Sequence, residues 1–90
     1  MPVRHTITFT GRVQGVGFRA RARELAAGFA VVGYVRNEID GSVLCVAEGE
    51  RTELERFESA VRRSMAGFIR DSQVHETPAT GEFSGFGIRR

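Results

Sequence analysis

The sequence predicts an α+β domain of the split β-α-β-β-α-β kind, a ferredoxin-like sandwich with two helices on one face of a mainly antiparallel sheet. Three observations carry that prediction. Several short stretches alternate apolar and polar residues, and two others repeat apolar residues at helical spacing. These stretches follow one another as β-α-β-β-α-β, with a short extra strand at the C-terminal end. The 90 residues make one domain, 1–90, large enough to bury about 60–65% of its unfolded surface.

The elements follow in order. Val3, Ile7 and Phe9 share one face of a first strand over 3–10, and Arg4, Thr6, Thr8 and Thr10 the other. His5 falls on the apolar face and reads as a core or edge histidine. Phe18, Ala22, Leu25, Ala26 and Phe29 recur at i, i+4, i+7, i+8 and i+11, which makes a helix with one apolar stripe. A second strand runs over 30–37 and a third over 42–48, joined by Glu38-Ile39-Asp40-Gly41, whose Asp-Gly supplies the turn. Thr52-Glu53-Leu54-Glu55 reads as a capping box opening a second helix. Leu54, Phe57 and Val61 form its buried face, Met65 extends that face, and Gly67 ends it. Residues 68–77 make a weaker strand, Pro78-Ala79-Thr80-Gly81 a turn, and 83–89 the final strand.

Between the first strand and the first helix lies Gly11-Arg12-Val13-Gln14-Gly15-Val16-Gly17-Phe18-Arg19. Its glycines let the backbone take conformations closed to other residues. A glycine-rich loop running into a helix N-terminus turns N–H groups toward anions. Arg12 and Arg19 add positive charge, and no carboxylate lies between residues 11 and 23. Phosphate is the expected guest. The chain has no lysine, which excludes a Walker loop, and Ala20 stands where a dinucleotide fingerprint needs its third glycine. A right-handed crossover makes the first and second strands parallel, so Asn37, ending the second, is expected beside this loop.

The complete string resembles the first signature of the acylphosphatases. Gly33-Tyr34-Val35-Arg36-Asn37-Glu38-Ile39-Asp40-Gly41-Ser42-Val43, followed by Gly49, resembles the second at every fixed position. Phe83-Ser84-Gly85-Phe86-Gly87-Ile88-Arg89 is similar to that family's C-terminus. The resemblance implies hydrolysis of acyl phosphates to a carboxylate and inorganic phosphate. It implies that Arg19 is the catalytic arginine, gripping the phosphoryl oxygens with the amides of Gly15, Val16, Gly17, Phe18 and Arg19. Asn37 matches the asparagine that orients the attacking water. No metal, cofactor or covalent enzyme intermediate is expected. The chain departs from the family pattern at Gly28-Phe29-Ala30-Val31-Val32 and at Ala66-Gly67-Phe68-Ile69, which leaves the course of 64–75 open.

The residues themselves suit that chemistry. An arginine holds two phosphate oxygens at once and stays charged, and an asparagine offers a donor and an acceptor without titrating. No pair of carboxylates and no well-placed histidine stands near the loop to protonate a leaving group, and His5 and His75 lack partners at ligand spacing. The reaction therefore needs a leaving group that departs unprotonated. A carboxylate does, its conjugate acid having a pKa of about 4 against about 16 for that of an alkoxide. Phosphoryl transfer is otherwise mostly positioning and charge stabilisation.

Charge and composition narrow the partners. A formal charge of +2 is too small for a dedicated nucleic-acid binder, while four arginines in 11–23 face seven acids in 38–58, a basic pocket on a mildly acidic body. One cysteine excludes an internal disulfide. No apolar run follows Met1-Pro2-Val3-Arg4-His5 and none is long enough to cross a membrane, so a soluble cytoplasmic monomer is expected. Three rivals are weaker. Cys45 to Arg51 spells the Cys-x5-Arg of cysteine phosphatases, but Cys45 alternates as a core strand position beside two glutamates. Gly85-Phe86-Gly87-Ile88 faintly resembles an RNA-recognition strand, but it sits on the wrong strand, and Phe83 and Phe86 read as core. An inactive relative, or one serving carbamoyl phosphate in a larger assembly, is disfavoured by the intact Arg19 and Asn37.

Overall fold

Alternation in the first strand sends His5, Ile7 and Phe9 to one face of the sheet, and those three are buried while their neighbours are not. The computed structural model describes all residues 1–90. Its elements are β1 (Val3–Gly11), α1 (Phe18–Ala26), β2 (Val32–Asn37), β3 (Val43–Gly49), α2 (Arg51–Ser64), β4 (Ile69–Pro78) and β5 (Phe86–Arg89). The five strands form one sheet in the order β4-β1-β3-β2-β5. All pairings are antiparallel except β2 with β5, which is parallel. No helix is long and apolar enough to cross a membrane.

The core lies between the sheet and the two helices. Ile7, Phe9, Val35, Val43, Cys45 and Ala47 from the strands meet Phe18, Ala22 and Ala26 of α1 and Leu54, Phe57 and Val61 of α2. Each large side chain fully buried there contributes about 2 kcal/mol. Phe9 packs on Phe18 with ring centroids 5.0 Å apart, which ties the start of α1 to the end of β1. Gly33 in β2 has φ 147°, and a Cβ there would lie 1.9 Å from the Val46 carbonyl oxygen. Only glycine lets β2 approach β3 at that point.

The element order and the sheet match expectation, and several boundaries do not. The capping box is absent. Helix α2 starts at Arg51 with Glu50 as its N-cap, so Thr52 already stands inside the first turn and makes no capping hydrogen bond. Glu53 is turned instead toward the α1–β2 connection and accepts the Ala30 N–H at 3.0 Å. Helix α1 ends at Ala26, and two turn hydrogen bonds, Gly28 N–H to Leu25 and Phe29 N–H to Ala26, carry Phe29 back onto the core. The end of α2 is closed by Phe68 and Ile69 N–H groups that both donate to the Met65 carbonyl, after which β4 begins. The final strand starts at Phe86 rather than 83. Phe86 packs on Phe57 in the core, but Phe83 stacks on Tyr34 at 5.8 Å on the sheet's helix-free face.

The Cys45 reading as a phosphatase nucleophile fails on structure. Cys45 is 1% exposed, and burial, then the nearby Glu58 charge, pushes its thiol pKa strongly upward. Arg51 is committed to Glu76 by hydrogen bonds of 2.8 and 2.6 Å. A nucleophilic cysteine needs an accessible thiolate with a lowered pKa.

Candidate active site

Strands β1 and β2 both pair with β3, and the register brings Phe9 and Asn37 to either side of the same residue, Val43. The loop leaving β1 therefore meets the end of β2 at one edge of the sheet. A cleft of about 220 Å³ opens there. Gly15, Gly17, Phe18, Arg19 and Ala20 line it from the loop and α1, Asn37 from β2, and Ile88 and Arg90 from the C-terminal end. A concavity of about 310 Å³ along α2 is larger, but it is lined by side chains of α2 and Phe29, with none of the loop glycines, Arg19 or Asn37.

Backbone conformation builds the loop. Gly15 (φ 76°) and Gly17 (φ 78°) are left-handed, and Gly17 is the residue from which α1 departs, without any side chain capping it. Val13 anchors the loop from below at 1% exposure, and the Arg12 N–H donates to the Phe68 carbonyl at 2.9 Å. Val16 packs its side chain against the core, so its contribution to a bound anion is its N–H group alone. None of the N–H groups from Gln14 to Ala20 donates to another backbone carbonyl. The first turn of α1 holds no acidic residue. A run of unpaired amides at the positive end of a helix dipole favours negative charge.

Two side chains complete it. Arg21 is tied to Ser64 and Glu24, whereas Arg19, half-buried at the cleft, pairs with no acid in the chain. Arg36 and Glu38 pair with each other at 2.9 Å, and the Asn37 carboxamide between them has no partner within the chain. Both polar groups face the cleft with their hydrogen-bonding capacity unspent. No group of three or more His, Cys, Asp or Glu residues is placed to hold a metal ion.

The structure thus gathers Gly15, Gly17, Phe18, Arg19 and Asn37 around one cleft. Arg12 is not at its lip: it is exposed and outside the lining. Ile88 and Arg90 are in the lining, and motif reading does not find them. Their signal is the parallel register of β2 with β5, which pairs Arg36 with Arg89 and so brings Arg90 beside Asn37.

Comparison with known proteins gives the family. The acylphosphatase family model matches residues 5–88. An acylphosphatase of Oceanobacillus iheyensis is 39% identical over 85 residues, covering 92% of this chain and 93% of the relative. One from Salinibacter ruber is 44% identical over 82 residues, covering 90% and 86%. The crystal structure of acylphosphatase from Bacillus subtilis superimposes with a TM-score of 0.87 at 31% identity, over 98% of this chain and 99% of that one. With a family match along nearly its whole length and relatives of this similarity, the chain belongs to the acylphosphatase family.

Proposed function

We propose that the chain hydrolyses the carboxyl–phosphate bond of acyl phosphates, with the amides of Gly15, Val16, Gly17, Phe18 and Arg19 and the Arg19 guanidinium holding the phosphoryl group. Asn37 holds a water in line with the bond that breaks. The water oxygen bonds to phosphorus as the bridging P–O bond cleaves. Its electrons leave with the carboxylate, and the water's proton passes to phosphate or solvent. Charge spread over the phosphoryl oxygens in the transition state is met by donors already fixed in place. Asn37 gains leverage from geometry, since a neutral amide orients a water without needing to accept its proton.

The observation that carries this reading is the meeting of unpaired loop amides, an acid-free Arg19 and an unpartnered Asn37 at one sheet edge. The family's activity supports it. So does the absence of a general acid near Arg19, which suits a leaving group that needs no proton. Phosphate release from acetyl phosphate, compared with an alkyl phosphate and repeated in EDTA, tests it. Acyl phosphate should be hydrolysed with no loss of rate in chelator, the alkyl ester should be left untouched, and inorganic phosphate should inhibit competitively. Comparable rates on both substrates, or a rate abolished by EDTA, would overturn the mechanism.

A further inference from the structure

Gln14 lies inside the loop, yet it does not line the cleft. Its carboxamide Nε2 donates to the Glu38 carbonyl at 2.7 Å and to the Ser42 carbonyl at 3.0 Å. Those two carbonyls belong to the turn that follows Asn37. The turn is closed on itself by Glu38 N–H to Ser42 at 2.9 Å and Gly41 N–H to Glu38 at 3.1 Å. The Asp40 carboxylate accepts the Ser42 N–H and hydroxyl, which stiffens it further. Both protons of one amide are therefore spent on tying the loop to the β2–β3 turn.

Among the side chains of the loop, this is the one with hydrogen bonds across to β2 and its turn. On the other side, Val13 and the Arg12 N–H hold the loop to the core and to Phe68. We propose that Gln14 is a positioning residue, fixing the distance between the group that is attacked and the Asn37 amide that holds the attacking water. The inference rests on the function proposed above. The residue type fits that role, because a carboxamide supplies two donors in one plane and does not titrate, whereas a glutamate would set a carboxylate against two carbonyl oxygens.

A positioning residue of this kind changes turnover and leaves ground-state binding of phosphate alone, because the amides and Arg19 stay in place. The test compares Gln14→Met, nearly isosteric and without donors, and Gln14→Lys, which keeps a donor, in the wild-type and Asn37→Ala backgrounds. Acetyl phosphate turnover and calorimetric inorganic phosphate affinity are measured on each, with folding checked by circular dichroism. Gln14→Met should lower kcat about 10-fold or more, since sub-ångström misplacement of reacting groups is costly, and phosphate affinity should stay within about twofold. Gln14→Lys should recover part of the loss. In the Asn37→Ala background Gln14→Met should cost nothing further, because the water it helped to position is no longer held. Unchanged kcat in Gln14→Met, or an equal loss with Asn37 already removed, would overturn the proposal. If Asn37→Ala itself leaves turnover intact, the parent mechanism fails instead.

Discussion

The two ends of the sheet present backbone amides and an arginine in similar groupings, and only one of them holds an anion from the chain itself. At the end away from the cleft, the Glu48 carboxylate is 4% exposed. It accepts the Thr80 and Gly81 N–H groups at 3.0 Å each, the Thr80 hydroxyl at 2.9 Å and the Arg4 Nε at 2.7 Å. Burial alone would raise its pKa, but those two N–H groups, then Arg4 and the hydroxyl, outweigh it and hold the carboxyl at about 2. At the cleft, loop amides and Arg19 form the same combination of donors with no resident carboxylate. One end satisfies its donors internally and fixes the β4–β5 connection to the sheet. The other leaves its donors without a partner in the chain. Two backbone amides, one arginine and one hydroxyl together hold a single carboxylate in this chain.

Removing Arg19 at one end and the Glu48 carboxylate at the other should separate the two roles. Arg19→Ala should lower acyl phosphate turnover on the order of 10³-fold, as for arginines that act on transferring phosphoryl groups, with the melting temperature nearly unchanged. Arg19→Lys should remain poor, because a point charge cannot make the two-oxygen contact. A folded Arg19→Ala variant with near-normal kcat/KM would break the comparison.

At the other end the loss should appear in stability. Glu48→Ala strands two backbone N–H groups and takes the Arg4 Nε partner away, leaving that guanidinium to Glu82 and Thr80, and should cost about 2–3 kcal/mol in chemical denaturation, with turnover per folded molecule preserved. The pH dependence follows from the sign of the shift. The folded pKa of about 2 lies below the ordinary 4.5, so the stabilisation is complete above about pH 5 and is lost as pH falls through the folded value. Thermal melts from pH 6 down to 3 should fall more steeply for wild type than for Glu48→Gln. Parallel curves would show that Glu48 is not held in this way.

The smallest effect belongs to Cys45. Cys45→Ser should lower stability by about 1 kcal/mol through a buried hydroxyl of poorer fit, leaving activity intact and the native protein unreactive toward thiol reagents. Abolished turnover in a folded Cys45→Ser variant would restore the cysteine-phosphatase reading.

What the sequence reveals divides along the same line. Alternation places Ile7, Phe9, Val35 and Cys45 in the core because period-two burial is a local signal. The glycines of 11–17 and the matching strings locate the cleft, and crossover topology alone puts Asn37 beside it. The rest depends on pairings distant in sequence. Arg90 reaches the cleft only through the β2–β5 register, and Gln14 bonds to carbonyls whose turn lies more than twenty residues away. His5 reads as core, and it is buried, but its two ring nitrogens meet Glu58 at 2.6 Å and Glu76 at 2.9 Å. Burial pulls the His5 pKa down, and the hydrogen bonds to Glu76 and Glu58 overcome that and raise it. No local pattern announces a buried ion cluster assembled from β1, α2 and β4. Thr52 misleads for a related reason: the capping-box spacing is present, but the chain has already entered the helix at Arg51.

The division of labour between Arg19 and Asn37 is the centre of the account, and calorimetric titration of inorganic phosphate into folded Arg19→Ala and Asn37→Ala tests it most directly. In the proposed mechanism phosphate occupies the amides and the arginine but needs no attacking water. Arg19→Ala should therefore lose measurable phosphate binding together with turnover. Asn37→Ala should bind phosphate nearly as wild type does while its turnover collapses, a loss confined to the transition state. If Asn37→Ala loses phosphate affinity as severely as Arg19→Ala, Asn37 is part of the anion grip and does not hold the water.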